Sequence, residues 1–232
     1  MIVYGRNVAK EVLKNNKKIE KIILQDNFDD KEILCLIENR KIPVNRWSKK
    51  EFSKFDKFSH QGIILYIEDF QYCQIDEFND DESSVIIMLD HLEDPHNLGA
   101  IIRTCEAAGV SGIIIPKDRS VEVTSTVMKT SAGALENVKI AQVINLGQTI
   151  KKLKEKGYWI VGTDMDNSID YRKIDYSGKI CLVIGSEGFG MTKNVKDSCD
   201  FIASIPMYGK INSLNASVAA GIMIYEVIRS KK

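Results

Sequence analysis

One segment near the middle of the chain places polar side chains and a glycine at spacings that suit ligand binding. It reads Asp90-His-Leu-Glu-Asp-Pro-His-Asn-Leu-Gly-Ala-Ile-Ile-Arg-Thr-Cys-Glu106. Its second half has helical spacing, with Gly99, Arg103 and Glu106 on one face. Asn97 is placed to cap this helix and Pro95 to prevent an earlier start. Gly99 would admit a ligand beside Arg103; the alternative is a capped helix with an Arg–Glu surface pair.

A second segment runs from an apolar strand into three closely spaced glycines. It reads Cys181-Leu-Val-Ile-Gly-Ser-Glu-Gly-Phe-Gly-Met191. Gly185, Gly188 and Gly190 would let the backbone turn sharply and expose its N–H and C=O groups to a ligand. Their order is not the Gly-x-Gly-x-x-Gly of dinucleotide folds, and no phosphate-binding P-loop occurs. Glu187 suits a cation or a hydroxyl better than a phosphate, and a tight turn without a ligand is the alternative.

A third segment, residues 203–221, passes from a strand through a loop into the last helix. It reads Ala203-Ser-Ile-Pro-Met-Tyr-Gly-Lys-Ile-Asn-Ser-Leu-Asn-Ala-Ser-Val-Ala-Ala-Gly221. Ser213 is placed to cap the helix. The many small residues in its first turns would let another backbone, or a partner subunit, pack closely. The alternative is simply a buried helix.

Together these segments resemble the three motifs of the SpoU (TrmH-type) RNA ribose 2′-O-methyltransferases of the SPOUT superfamily. The matching residues are Asp94-Pro-x-Asn97-x-Gly99 through Ile102-Arg103-Thr104, then Gly185-Ser-Glu187-Gly-x-Gly190, then Ile205-Pro-Met207 through Ser213-Leu-Asn215-x-Ser217. The first 73 residues are similar to the family's substrate-binding domain, which is itself similar to ribosomal protein L30e. Their matching motifs are Tyr4-Gly-Arg-Asn-x-Val8 and His60-Gln-Gly62. This combination resembles the subgroup that methylates a guanosine of 23S ribosomal RNA.

The resemblance implies S-adenosylmethionine as the methyl donor and assigns residues to hold it. Backbone groups of Gly185, Ile205 and Leu214 would hold the adenosine moiety, with Met207 and Thr163 nearby. Glycines allow close main-chain approach, and apolar side chains suit an adenine face. We expect no metal, and no Cys-x-x-Cys pair occurs that would indicate a zinc ribbon or a dithiol site.

The same resemblance implies a catalytic role for Arg103. A guanidinium is effectively always protonated, so we expect it to stabilise the developing alkoxide and the adjacent phosphate rather than to act as a base. Asn97 and Glu187 would orient Arg103 and the hydroxyl. Ser213 and Asn215 would contact phosphate or ribose from a helix N-terminus, where anions are favoured.

The N-terminal unit is expected to bind RNA. Residues 40–57 carry a local charge of +5, which could meet a phosphate backbone, although a solvated helix face explains the charge equally well. The predicted RNA-binding residues are Arg6, Asn7, Arg46, Lys49 and Lys50.

The elements that must position these residues alternate between strand and helix. The predicted helices are 7–15, 31–39, 49–55, 98–108, 125–130, 146–156 and 214–229. The predicted strands are 21–24, 44–47, 62–67, 85–89, 112–115, 138–143, 158–163, 180–184 and 201–205. This alternation predicts an α/β fold with a mostly parallel sheet. The family resemblance adds a trefoil knot in the C-terminal domain, and a homodimer packed through the first-motif and final helices.

Charge patterning suggests where the domains divide. The chain of 232 residues has a formal charge of zero, but residues 1–73 sum to +3, residues 74–84 to −5 and residues 85–232 to +2. The acidic stretch 74–84 is therefore predicted to link an RNA-binding domain, 1–73, to a catalytic domain, 85–232. No apolar run is long enough to cross a bilayer and the start resembles no signal peptide, so we expect a cytoplasmic protein without membrane contact.

Three other functions compete with methylation of a guanosine of 23S ribosomal RNA. The substrate could be transfer RNA or another position of ribosomal RNA. The chain could also be a catalytically silent RNA-binding ribosome-assembly factor, although the motif side chains argue against it. A dinucleotide enzyme is disfavoured because its phosphate fingerprint is missing.

Overall fold

The computed structural model describes residues 1–15 and 18–231. The strands are β1 Ile2–Tyr4, β2 Ile19–Gln25, β3 Val44–Trp47, β4 Ile63–Ile67, β5 Val85–Asp90, β6 Gly112–Pro116, β7 Ile140–Val143, β8 Tyr158–Thr163, β9 Ile169–Asp170, β10 Lys179–Gly185 and β11 Phe201–Ser204. The α-helices are α1 Arg6–Lys14, α2 Lys31–Arg40, α3 Lys49–Phe52, α4 Pro95–Ala108, α5 Ser125–Thr130, α6 Leu146–Glu155, α7 Lys193–Lys196 and α8 Ala216–Arg229. Each predicted element is present, and β1, β9 and α7 are present in addition to the predicted elements.

The chain divides into two compact units. Unit 1 comprises Met1–Gln71 together with Val123–Gly133. Its sheet has the strand order β1-β4-β2-β3, in which only β2 and β3 run parallel. Segment 123–133, which the sequence analysis placed in the C-terminal domain, contributes α5, and α5 packs against β1.

Unit 2 comprises Tyr72–Glu122 and Ala134–Lys232. Its seven-stranded sheet has the order β7-β6-β5-β10-β8-β11-β9, and all neighbouring strands are parallel. Every residue of β5 and β6 is buried, as expected for central parallel strands covered on both faces. The predicted α/β fold with a mostly parallel sheet is confirmed.

The strand order of unit 2 creates a switch point. Strand β10 lies between β5 and β8, with β11 beyond β8. The strands are parallel, so their carboxyl ends, including Asp90, Thr163, Gly185 and Ser204, lie along one edge of the sheet. Open parallel sheets bind ligands at such an edge, next to a reversal in strand order.

The acidic segment 74–84, predicted as a linker, belongs to unit 2. It contains a short 3₁₀ helix, Ile75–Glu77, followed by the buried Phe78. A Cβ at Gly112 would lie 2.5 Å from the Phe78 ring, so the absence of a side chain there makes room for the aromatic ring. Lys156 and Lys179 pair with Asp76 and Asp80. Much of the acidic charge is therefore balanced within the unit.

The ends of the two functional helices differ from the prediction. Helix α4 begins at Pro95, and Asp94 caps it by accepting a hydrogen bond from the backbone N–H of His96 at 2.9 Å. The expected cap Asn97 and the expected stop at Pro95 were wrong, because proline is favourable in the first helical turn, where its missing N–H costs nothing. Helix α8 is capped by Asn215 rather than by Ser213. No helix of the described residues combines the length and apolarity needed to cross a bilayer.

Candidate active site

A cavity of about 950 Å³ opens at the carboxyl edge of the unit 2 sheet. The five residues predicted to bind the methyl donor all line it: Thr163, Gly185, Ile205, Met207 and Leu214. Glu187, Ser213 and Asn215 also line this cavity. The second motif, which ends at Gly190, and the third, which begins at Ile205, therefore form one concave site.

The turn after β10 explains why this wall is built from glycines. Backbone hydrogen bonds in both directions between Ser186 and Gly190, of 2.9 and 3.0 Å, close the turn. Gly188 and Gly190 have φ angles of 88° and 66°, which side chains rarely permit. A Cβ on Gly185 would lie 2.4 Å from the carbonyl carbon of Gly190. Gly185 is thus required by the turn itself.

Three side chains from the three motifs meet beside this cavity. Asn97 donates from Nδ2 to Oε1 of Glu187 at 2.9 Å. Asn215 donates from Nδ2 to the same Oε1 at 2.6 Å and to Oδ1 of Asn97 at 3.0 Å. The structure therefore joins α4, the β10 turn and α8 through a cluster that we call the amide–carboxylate triad, Asn97, Glu187 and Asn215.

Glu187 sits at the amino end of α8. Its Oε1 also accepts the backbone N–H of Ala216 at 3.0 Å, an arrangement that the helix dipole favours. Its Oε2 makes no hydrogen bond to the residues that the structure describes, and Glu187 is exposed. One carboxylate oxygen thus fixes the triad while the other can receive a ligand.

Asn215 is fully engaged by the protein. Its Oδ1 accepts hydrogen bonds from the backbone N–H and the hydroxyl of Ser217, at 3.0 and 2.6 Å, and its Nδ2 serves the triad. These hydrogen bonds hold the Asn215 amide against Glu187, Asn97 and Ser217, and its expected contact with phosphate or ribose stays a prediction. Ser213 is exposed and lines the cavity, so its hydroxyl is accessible from there.

Arg103 lies apart from the triad. It is exposed on α4, and within residues 1–15 and 18–231 it makes no hydrogen bond or ion pair. Among the described residues no ion pair joins Arg103 to Glu106, whose Oε1 accepts a hydrogen bond from Asn137 at 3.4 Å. In this single chain Asn97 and Glu187 therefore hold each other rather than Arg103, and the guanidinium remains free.

Asp164 is a cavity residue that the sequence analysis did not single out. It follows the last residue of β8 and lines the cavity. Partial burial opposes its ionisation, but Lys196 Nζ at 2.9 Å and the N–H of Asp166 together hold the pKa of Asp164 below its usual value. Its position directly after a buried strand was the signal available in the sequence. The site thus offers a second carboxylate able to accept hydrogen bonds from ligand hydroxyls.

In unit 1 the two motifs quoted for RNA binding come together. The backbone N–H of Arg6 donates to Oε1 of Gln61 at 2.8 Å. The Arg6 guanidinium lies 5.1 Å from the centre of the Phe28 ring, and these residues line a groove of about 620 Å³ that also includes His60. Asn7 is exposed at the start of α1. The structure therefore gathers Arg6 and the His60-Gln-Gly62 motif at one surface.

The other predicted RNA-binding residues lie at the end of β3 and the start of α3. Arg46 donates from Nη1 to the backbone oxygen of Asp26 at 2.9 Å, and Lys49 and Lys50 are exposed. Arg40, part of the same basic stretch, donates to the backbone oxygens of residues 12, 13 and 15 instead. The charge of this stretch is therefore divided between solvent-facing residues and one structural arginine.

Comparison with known families matches nearly the whole chain. Residues 84–225 match the SpoU rRNA Methylase family, and residues 2–73 match the family described as RNA 2'-O ribose methyltransferase substrate binding.

Two relatives from staphylococci are similar over their full length. A putative TrmH family tRNA/rRNA methyltransferase of Staphylococcus saprophyticus is 46% identical, covering 100% of this chain and 96% of the relative. The protein of the same description from Staphylococcus aureus strain MSSA476 is 42% identical, covering 99% and 96%.

Two solved structures share the architecture. The AdoMet-bound rRNA methyltransferase from Sinorhizobium meliloti superposes with a TM-score of 0.82 at 28% identity, covering 98% of this chain and 86% of that chain. The SpoU methyltransferase AviRb from Streptomyces viridochromogenes, in complex with AdoMet, has a TM-score of 0.84 at 22% identity, covering 99% and 89%. The AviRb likeness supports the fold alone.

Proposed function

The chain belongs to the SpoU rRNA methylase family and is an S-adenosylmethionine-dependent RNA methyltransferase, and we propose that it methylates a ribose 2′-hydroxyl, on a guanosine of 23S ribosomal RNA. The observation that carries this proposal is the amide–carboxylate triad beside the cavity. It unites the three motifs on which the resemblance to ribose methyltransferases rests.

The cavity fits the methyl donor. Its volume of about 950 Å³ is within the usual range for small-molecule sites. We propose that backbone groups of Gly185, Ile205 and Leu214 hold the adenosine moiety, with Met207 and Thr163 nearby. The Thr163 hydroxyl donates to the backbone oxygen of Val183 at 3.0 Å, so the role proposed for Thr163 rests on its shape and backbone.

When bound, S-adenosylmethionine would supply an electrophilic methyl group. The 2′-oxygen would form its bond to this methyl group as the methyl–sulfur bond breaks, and the hydroxyl proton would pass to water. The protein must therefore orient the 2′-hydroxyl and stabilise the charge that develops on its oxygen. We assign that charge stabilisation to Arg103, which stays protonated and is free of partners within the described chain. Glu187 would orient the hydroxyl through Oε2, and Ser213 would contact the ribose or its phosphate. Asn97 and Asn215 act as positioning residues, because their amide groups hold Glu187 in place.

We also propose a homodimer formed through α4 and α8. These helices pack against each other within the subunit. Arg103 on α4 is exposed, and so are the large side chains of Val218 and Tyr225 on α8. A second copy packed against these helices would bury them. Sedimentation of the wild-type protein should give the mass of two chains, and the Val218→Glu variant should have the mass of one chain. A monomeric wild-type enzyme with full activity would contradict this proposal.

The trefoil knot is a further part of the proposal. Its support is the family resemblance together with the place of β10, which follows β5 and β8 in the chain but lies between them in the sheet. A crystal structure whose C-terminal segment can be withdrawn without passing through a loop would refute it.

RNA binding by unit 1 is implied by its substrate-binding family match. We propose that Arg6 and Asn7 contact RNA at the groove beside Phe28, and that Arg46, Lys49 and Lys50 contact phosphates. The loop after β2 connects these sets, since Arg6 pairs with Asp29 and Arg46 bonds Asp26. Replacing the three basic residues 46, 49 and 50 should weaken RNA binding and flatten its salt dependence.

Transfer RNA is the second candidate substrate, because the staphylococcal relatives are described as tRNA/rRNA methyltransferases. The decisive experiment maps 2′-O-methyl groups in ribosomal and transfer RNA from cells with and without this protein. Loss of one methyl group on a 23S guanosine supports the proposal. Loss only in transfer RNA would replace the substrate, and loss of a base methyl group would refute ribose chemistry.

A further inference from the structure

Phe189 makes little contact with the rest of its own chain. It stands at the tip of the turn after β10, and 94% of its surface is exposed. The turn is closed by backbone hydrogen bonds and needs no apolar side chain at this position. The ring is therefore available to a ligand that enters the adjoining cavities, where aromatic side chains can stack on flat rings.

The turn that carries Phe189 separates two cavities. The first is the 950 Å³ cavity assigned above to the methyl donor. The second, of about 490 Å³, is bounded by the loop after β5 and by Arg119. Phe189 and Glu187 line both. A molecule in the second cavity would therefore lie next to the donor, with Phe189 at its edge.

Two polar residues of the second cavity are held in an uncommon backbone conformation. His91 and Arg119 have φ angles of 57° and 52°. Non-glycine residues at positive φ are uncommon and tend to occur at functional sites. The fully buried Asp90 fixes the histidine, with Oδ1 at 2.5 Å from His91 Nδ1, while its Oδ2 accepts the N–H and hydroxyl of Thr192 at 2.6 and 2.9 Å.

The lining combines both hydrogen-bonding types. His91 and Arg119 provide donors, whereas Glu93, Asp94 and Glu187 provide carboxylate acceptors. Three carboxylates disfavour a phosphate as the main ligand, and no group of side chains in the described residues could hold a metal ion. A flat ring flanked by donors and acceptors matches a nucleobase, which stacks on aromatic side chains and bonds through its edge.

We propose that the second cavity is the subsite for the base of the nucleotide being methylated, with Phe189 stacking on that base. The proposal rests on the proposed ribose methylation and deepens it. Guanine fits the lining, since its amino and imino groups can donate to carboxylates and its carbonyl can accept from Arg119.

The test compares Phe189→Ala, Phe189→Trp and Ile144→Ala in the full-length enzyme. Ile144 is a matched control, because it is 83% exposed in the same unit and lines neither cavity. Methyl transfer from radiolabelled S-adenosylmethionine is measured on ribosomal and transfer RNA purified from cells lacking the protein. Calorimetry gives the Kd of each variant for S-adenosylmethionine.

Phe189→Ala should raise the KM for RNA by roughly 5- to 150-fold, the loss expected for one base–aromatic stack. Phe189→Trp should remain near wild type and Ile144→Ala should have no effect. Because Phe189 also borders the donor cavity, Phe189→Ala should change the Kd for the methyl donor far less than the KM for RNA. An unchanged KM for RNA in Phe189→Ala, or a parallel loss of donor affinity, would overturn the subsite.

The wild-type product separates this proposal from the one on which it rests. Nuclease digestion of the labelled RNA shows whether the methyl group is on ribose. A methylated ribose with an unaffected Phe189→Ala variant refutes only the base subsite. A methyl group on a base, or no transfer to either RNA, refutes the proposed function and with it the inference.

Discussion

Removing the side chain of Asn97 should destabilise unit 2 more than any ordinary surface substitution. Asn97 is only 5% exposed, and it makes one hydrogen bond to the Glu187 carboxylate and one to the Asn215 amide. A bond to a charged group contributes about 1.5–3 kcal/mol and a neutral one about 0.5–1.5 kcal/mol. Glu187 and Asn215 are exposed and can bind water instead, so we expect Asn97→Ala to cost about 2–3 kcal/mol.

The positions of the two tryptophans allow the stability of unit 2 to be measured separately from that of unit 1. Trp47 lies in unit 1 and Trp159 in unit 2, so a Trp47→Phe background leaves a fluorescence probe of unit 2 alone. The expected cost corresponds to a Tm lower by roughly 4–12 °C for a domain of this size. Asn137→Ala is the matched control, since its hydrogen bond to the Glu106 carboxylate is exposed and 3.4 Å long. Equal stability of the two variants would refute the structural role of the triad.

Asn97→Asp keeps the shape of the side chain but replaces its hydrogen bond to Glu187 with a repulsion between two carboxylates. Its new oxygen would face Glu187 Oε1 across the present 2.9 Å, so two carboxylates would repel each other. The pKa of the introduced carboxyl should therefore be higher in the folded than in the unfolded protein. A raised folded pKa adds stability below about pH 4, which is lost as the pH rises. The stability gap to wild type should thus narrow on acidification, and a gap independent of pH would contradict this account.

Three further predictions concern other parts of the chain. Arg103→Ala should abolish methyl transfer while calorimetry shows S-adenosylmethionine still binding, and near wild-type turnover would remove the role of Arg103. Gly185→Ala should eliminate donor binding, because its Cβ would lie 2.4 Å from backbone of the turn, whereas Gly209→Ala, with no atom within 4 Å, should bind normally in the same titration. In unit 1 the pKa of Glu32 is lowered to about 2 by hydrogen bonds from Lys10 and from a second lysine, so its contribution to stability should be lost as the pH falls from about 4.5 towards 2. An NMR titration of Lys10→Met should show this pKa rising towards its usual value, and an unchanged pKa would refute the cause.

Residues next to strand ends could be assigned to a site from the local sequence pattern alone. Gly185 follows a continuous apolar strand and introduces a glycine-rich turn, and Thr163 ends another strand. In a parallel sheet the carboxyl ends of such strands share one edge, so these residues must lie near each other. The five expected donor-binding residues line one cavity.

The residues that cap α4 and α8 were harder to predict from the local sequence. Asp94 and Asn97 are both good caps, as are Ser213 and Asn215, so residue type could not choose between them. At α4 the choice follows from Pro95, which fits the first helical position. At α8 it follows from Glu187, whose carboxylate receives Ala216 N–H and Asn215 Nδ2 and so fixes where the helix begins.

The sequence by itself determined the α/β alternation, the extents of most elements to within three residues, and the family, because those properties depend on neighbours in the chain. Only the tertiary structure decided that Asn97 and Asn215 serve Glu187, that Arg103 stands free, and that residues 123–133 join unit 1. The contacts of Asn97 join groups 90 or more residues apart, and the contact of Asn215 with Glu187 joins groups 28 residues apart. Residues 123–133 join unit 1 where α5 packs against the short strand β1, which exists only through pairing with a neighbour. A side chain's partner in such contacts is selected by distance and by competition for hydrogen bonds, which the spacing of residues along the chain does not record.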